Sequence, residues 1–104
     1  MIRVIYRWHV KSGGEQTFRE AWEKGTAAIM RTVKGSHGSL LMQCTETPSE
    51  FAGMAKWDSI EVWRSAHQSP NWPPDREATR AVHRVAGRTI STEIFEELSD
   101  LTVA

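Results

Sequence analysis

Residues 2–10, IRVIYRWHV, alternate without a break. Ile2, Val4, Tyr6, Trp8 and Val10 share one side, and Arg3, Ile5, Arg7 and His9 share the other. A period of two is the signature of a strand buried on one face, since successive side chains of an extended chain point in opposite directions. A one-sided strand commits the rest of the chain to supplying neighbouring strands and a cover for the apolar side. At 104 residues the sequence is expected to form one domain, residues 1–104, with a core that is modest in the area it can bury alone.

The cover follows at once. In KSGGEQTFREAWEKGTAAIMRTV, Phe18, Ala21, Trp22, Gly25 and Ile29 recur at helical intervals. Ser12 and Glu15 have the spacing of a capping box. GSHG is expected to break this helix before a second strand, SLLMQC. TETPS has turn chemistry, because Pro48 cannot serve a central strand. EFAGMAKW is a third strand with Phe51, Gly53, Ala55 and Trp57 on one face. Asp58 and Glu61 repeat the capping-box spacing and open a short helix whose Ile60, Trp63 and His67 form a stripe. SPNWPPD interrupts it. A further helix runs through Ala78, Ala81, Val82 and Val85 toward Gly87, and RTISTEIFEELSDL reads as a last, β-branched strand.

The order β-α-β-β-α-β predicts an α+β fold of ferredoxin-like, split-βαβ type, a four-stranded antiparallel sheet with helices on one face. Its other face, carrying Arg3, Ile5, Arg7, His9 and either Ile94 or Phe95, then needs a partner. Face-to-face pairing with a second copy is the expected solution, a homodimer.

Charge excludes some functions. Thirteen basic and thirteen acidic residues cancel, which speaks against a nucleic-acid or anionic-membrane footprint. No apolar run reaches the length of a signal segment or membrane span, so a cytoplasmic protein is expected. The lone Cys44 can form neither an intrachain disulfide nor a thiolate zinc site. GxGxxG, Walker, CxxC and HExxH patterns are absent, and His9, His37, His67 and His83 lack metal-ligand spacing. No cofactor is expected.

The chemistry concentrates in KWDSIEVWRSAHQSPNWPPD, which holds three of the five tryptophans. With the first and third strands as neighbours, both starting near their first residue, Tyr6 and Trp8 are expected roughly opposite Ala55 and Trp57, and Gly53 and Ala55 are small beside them. Either a flat ligand occupies the space between sheet and helices, or Trp22 and Trp63 fill it. In the first case Trp57, Trp63, Trp72, Trp8 and Trp22 wall a site for a small aromatic substrate, and Trp72 on its proline-braced loop either caps the mouth or plugs the core. His67 is the candidate base, because imidazole titrates near neutral pH. Arg80 or Arg84 either stabilises an anion or lies on a solvated helix face.

The segments IRVIYRWHV, KSGGEQTFREAW, GSHGSLLMQ, EFAGMAKWDSIEVWRSAH and STEIFEELSDL resemble the antibiotic biosynthesis monooxygenase family over nearly the whole chain. The resemblance implies a dimeric α+β barrel. It also implies oxidation of a polycyclic phenol to a quinone by O2 without metal, flavin or other prosthetic group. Trp57 matches the family's strand-ending tryptophan, and Tyr6 stands where the family carries an asparagine. Both are catalytic candidates beside His67. Two other readings accompany it: a non-catalytic dimer binding a small aromatic metabolite, and haem cleavage of the kind found on the same fold. For haem cleavage Tyr6 again replaces an asparagine, and Arg76 stands near the usual histidine ligand.

Overall fold

The computed structural model describes residues 1–102. Its elements run β1 (Ile2–His9), α1 (Glu15–Thr32), β2 (Ser36–Gln43), β3 (Glu50–Trp57), α2 (Ile60–Gln68), α3 (Arg76–Ala86) and β4 (Ser91–Glu96). The four strands form one sheet in the order β2-β3-β1-β4, antiparallel at every pairing. This is the ferredoxin-like α+β arrangement. The helix α1 carries the chain from β1 past β3 to β2. The helices α2 and α3 carry it from β3 past β1 to β4.

Alternation sorts the sheet as expected. Ile2, Val4, Trp8 and Val10 are buried on the helix side, as are Phe51, Ala55 and Trp57 of β3. They form two clusters. Ile2, Val4, Ala55 and Trp57 make one, with Ile60, Trp63 and Ala66 of α2 packed on it. Trp8, Val10, Phe18 and Phe51 make the other, against Val82 and Val85 of α3. Tyr6 touches both and so stands at the seam between them.

Register is where the strands depart from expectation. Tyr6 and Trp8 do not face Ala55 and Trp57. Antiparallel pairing runs β3 back along β1, so Tyr6 lies opposite Gly53, Trp8 opposite Phe51 and Ile2 opposite Trp57. The space at Gly53 is therefore not free. A Cβ built there would stand 3.0 and 3.1 Å from carbons of the Trp8 indole.

The helix ends also differ. No capping box forms at Ser12 and Glu15. Gly14 is the N-cap without a side-chain bond, pressed so closely on Val85 that its missing Cβ would lie 3.0 Å from the Val85 Cβ. At α2 the cap is Ser59, whose hydroxyl accepts from the Val62 N–H at 3.2 Å, while Asp58 turns to His37 of β2. Of the GSHG segment only Gly35 precedes β2; Ser36, His37 and Gly38 begin the strand, with an irregularity between Ser36 and Ser39. The last strand is shorter than its β-branched pattern suggests and ends at Glu96. Helix α3 ends as expected at Gly87, whose φ of 64° suits a residue without Cβ.

The open face carries an apolar band. Leu40, Met42 and Phe95 are 48%, 41% and 51% exposed there, beside Met54 and Ile5. Pairing with Arg3 sends Phe95 to this side, and Ile94 packs under the helices. Arg3 also holds the residue that follows β4, Glu97, at 2.7 Å.

Gly53→Ala tests the close approach of Trp8 to the strand. The added methyl must displace an indole already wedged between Tyr6 and Phe18. Urea unfolding should show a loss of about 1–3 kcal/mol, the usual cost of overpacking. An unchanged midpoint would show that the ring yields freely.

Candidate active site

The site is built from the end of β3 onward. Trp57 closes the strand, and Asp58 and Ser59 turn the chain into α2 within two residues. So short a turn leaves α2 no freedom to slide. Its stripe of Ile60, Trp63 and His67 comes down over the Trp57 end of the sheet. Beyond Gln68 the loop folds back, the Trp72 N–H donating to the Ser69 carbonyl at 3.0 Å, and the Trp72–Pro73 bond is cis. Asp75 then caps α3 by accepting from the Ala78 N–H at 2.9 Å.

The tryptophans of this stretch are arranged around His67. Its ring centroid lies 4.0 Å from that of Trp72, 4.4 Å from Trp63 and 6.0 Å from Trp57. Burial among them pulls the imidazole pKa below its ordinary 6.5, partly opposed by a bond to the Trp63 carbonyl. That bond is 2.8 Å long and involves Nδ1. A carbonyl only accepts, so Nδ1 carries the proton, and in the neutral ring Nε2 is left as a lone pair.

Tyr6 is the second polar group. The Trp63 Nε1–H donates to its hydroxyl oxygen at 3.0 Å. Burial raises the phenol pKa above 10.0, with the indole bond partly opposing. At neutral pH both groups are uncharged: a phenol able to donate and an imidazole able to accept.

Between sheet and helices lies a cavity of about 430 Å³, at whose wall Tyr6, Trp8, Trp22, Trp57, His67 and Trp72 meet. Ligand pockets are typically roughly 300–1,000 Å³, so the space suits a small polycyclic molecule. Ala55 lines it, whereas the room at Gly53 is taken by Trp8. Trp63 is not part of the wall and stands behind it, holding Tyr6 and His67. Arg84 and Arg80 are exposed and lie outside the lining of α3, which presents Ala78, Thr79, Val82 and His83. Residues that sequence reasoning missed form a polar rim, among them Ser36, Ser39, Asp75, Thr79 and His83. The spacing of Thr79 and His83 on one helical stripe was a usable signal. The serines carried none, because only the irregular start of β2 brings both to the rim. Among the described residues no group of three or more His, Cys, Asp or Glu side chains could hold a metal ion.

A family model described as antibiotic biosynthesis monooxygenase matches residues 1–73, from β1 to the Trp72–Pro73 bond. The chain belongs to the antibiotic biosynthesis monooxygenase family. Solved structures agree at the level of fold. A Bordetella bronchiseptica protein assigned to the same family superposes with a TM-score of 0.79 at 19% identity, over 94% of this chain and 97% of that one. SnoaB, a cofactor-independent oxygenase from Streptomyces nogalater, gives 0.77 at 17%, over 96% and 95%. Rv0793 from Mycobacterium tuberculosis gives 0.72 at 14%, over 97% and 98%. No curated protein matches the sequence.

The His67 environment makes a statement about stability. Its folded pKa lies below its unfolded value, so between the two the unfolded chain binds more protons. The contribution is intact above pH 6.5 and is lost as pH falls through the lowered folded pKa. Urea unfolding at pH 7.5 and at acid pH should show that loss in the native protein and a shallower one in His67→Gln. Equal slopes would place His67 in water.

Proposed function

We propose that this chain is a cofactor-independent monooxygenase that oxidises a planar, polyketide-type phenol with O2 to a quinone. The observation that carries the reading is the aromatic-walled cavity in which a neutral hydroxyl donor, Tyr6, and a neutral base, His67, both border one space. The cavity that Trp57, Trp72 and Trp22 help to line matches a polycyclic phenol in size. The His67 Nε2 lone pair takes a proton from the substrate, and the Tyr6 hydroxyl donates to the oxyanion that forms. The electron-rich anion itself reduces oxygen by one electron. Recombination forms a carbon–oxygen bond, and loss of water leaves the carbonyl. In balance, a ring CH2 and O2 become C=O and H2O. The protein contributes orientation, hydrogen bonds and exclusion of water. Fold likeness to a cofactor-independent oxygenase supports the same reading.

Residues 1–104 act in this proposal as one domain of a cytoplasmic homodimer. No described helix is long and apolar enough to cross a membrane. The support for pairing is the band of Leu40, Met42, Met54 and Phe95 on the open sheet face; beyond β4, Leu98 and Leu101 are 90% and 93% exposed. Face-to-face pairing of two sheets buries such a band and completes an α+β barrel. Light scattering at micromolar concentration should give twice the chain mass of 11.8 kDa. A folded monomer at all concentrations would remove the barrel.

Oxygen uptake with an anthrone-like phenol tests the chemistry. Tyr6→Phe removes one hydroxyl and should cost about 2–4 kcal/mol in kcat/KM, the worth of a deleted oxyanion donor. Trp57→Phe should keep the fold and weaken binding or turnover. In the native protein the acid limb of kcat/KM should fall below pH 6.5, where the lowered His67 pKa puts it. Saturable quenching of tryptophan fluorescence without oxygen uptake would instead identify a binding protein for aromatic metabolites. Absence of both would make the cluster core and nothing more.

A further inference from the structure

One residue that touches neither substrate space nor solvent side of the cavity holds both reactive groups. The Trp63 indole N–H reaches the Tyr6 hydroxyl oxygen at 3.0 Å, and the Trp63 carbonyl receives His67 Nδ1–H at 2.8 Å. Its ring also packs against the imidazole at 4.4 Å. We propose that Trp63 is the positioning residue that assigns the roles of the pair, making Tyr6 the donor and His67 the acceptor. The assignment rests on the monooxygenase reading for its catalytic meaning, and on geometry alone for its structural content.

The physical argument turns on what an indole can do. It is a donor only, whereas a phenol has one proton and two lone pairs. With one lone pair engaged by Trp63, the Tyr6 proton cannot also point at that nitrogen. The hydroxyl rotor is driven the other way, and Tyr6 lines the cavity. A side chain with acceptor capacity at position 63, such as a serine or asparagine, would permit the opposite polarity, with Tyr6 donating into the protein and leaving the cavity without a donor. The carbonyl acts in the same sense on His67. It can only accept, so the imidazole proton is held at Nδ1 and the basic nitrogen is Nε2. Because Trp63 and His67 are four residues apart on α2, one helical turn links both assignments.

The chain offers a clean probe, because Tyr6 is its single tyrosine. Ultraviolet titration of the phenol therefore reports one group. Replacing that tyrosine with 3-fluorotyrosine lowers its titration, so that a less alkaline pH is needed to read it. Trp63→Phe keeps an aromatic ring and the backbone carbonyl and deletes only the N–H donor. The phenol midpoint should move up in Trp63→Phe, since the lost bond favoured the phenolate. The ¹⁵N signature of His67 should stay that of the Nδ1–H tautomer. With an anthrone-like phenol, kcat should fall about tenfold with KM nearly unchanged, the worth of one neutral hydrogen bond. In a Tyr6→Phe background the same change at Trp63 should have no further effect on kcat. A phenol midpoint that stays put or falls, or full additivity of the two substitutions, would overturn the assignment. Should Trp63→Phe not fold, the Trp63 indole N–H resonance in Tyr6→Phe decides. It should shift upfield, and an unmoved signal would overturn the bond. If no phenol is turned over by the native protein, the monooxygenase reading fails, while titration and tautomer still decide the part played by Trp63.

Discussion

The antiparallel pairing of β1 with β3 is the constraint on which the rest of the molecule depends. These are the two central strands, and each residue of β1 from Ile2 to His9 has its partner fixed by it. The pairing brings the start of β1 to the end of β3, so Trp57 lies over Ile2 and the turn into α2 begins there. It also puts Tyr6 opposite Gly53, the one place in β3 without a side chain to oppose a large ring. A slip of β1 by one residue would send Tyr6 and Trp8 to the open face and bring Arg3 and Arg7 under the helices. The core and the candidate site share one register, and neither can be lost without the other.

That shared origin explains why the site is walled by rings that brace one another. Aromatic rings have few rotamers, and here they lean on one another: Tyr6 on Trp8, Trp8 on Phe18, Phe18 on Phe51. On the other side of the seam Trp57 meets Trp72 and His67. The cavity is bordered by members of both groups, Tyr6 and Trp8 of the first and Trp57, His67 and Trp72 of the second, with Ala55 also in its lining. Among the described residues no buried polar or charged residue stands in the core, and burial favours the neutral forms of Tyr6 and His67 at the cavity. In the proposed reaction a phenolate formed here would be met by the Tyr6 hydroxyl, and such directed hydrogen bonds stabilise an anion most where water is excluded.

Several elements were legible in the sequence because they rest on local rules. The alternation of IRVIYRWHV and EFAGMAKW assigned faces that the structure keeps residue for residue. The grouping of Trp57, Trp63, His67 and Trp72 followed from helical spacing and proximity in the chain. Other readings failed where a local rule had a competitor. The Ser12–Glu15 cap lost to the approach of Gly14 on Val85, and the Asp58–Glu61 cap lost to Ser59 while Asp58 turned to His37. The room read at Gly53 was consumed by Trp8, because an opposing strand decides what fills the space beside a glycine.

What the sequence by itself determined is the set of apolar faces and the type and order of the elements, since period, turn chemistry and β-branching act within a few residues. It also determined which aromatic residues would cluster, as three of the tryptophans lie within one short stretch. Only the tertiary structure decided that Trp63 stands behind the cavity with its N–H on Tyr6, that Arg84 lies outside it, and that Ser36 and Ser39 border it. Those outcomes depend on strand register and on how far α2 and α3 sit from the sheet. Contacts between residues as distant in sequence as Tyr6 and Trp63 depend on the whole fold, and no local spacing encodes them.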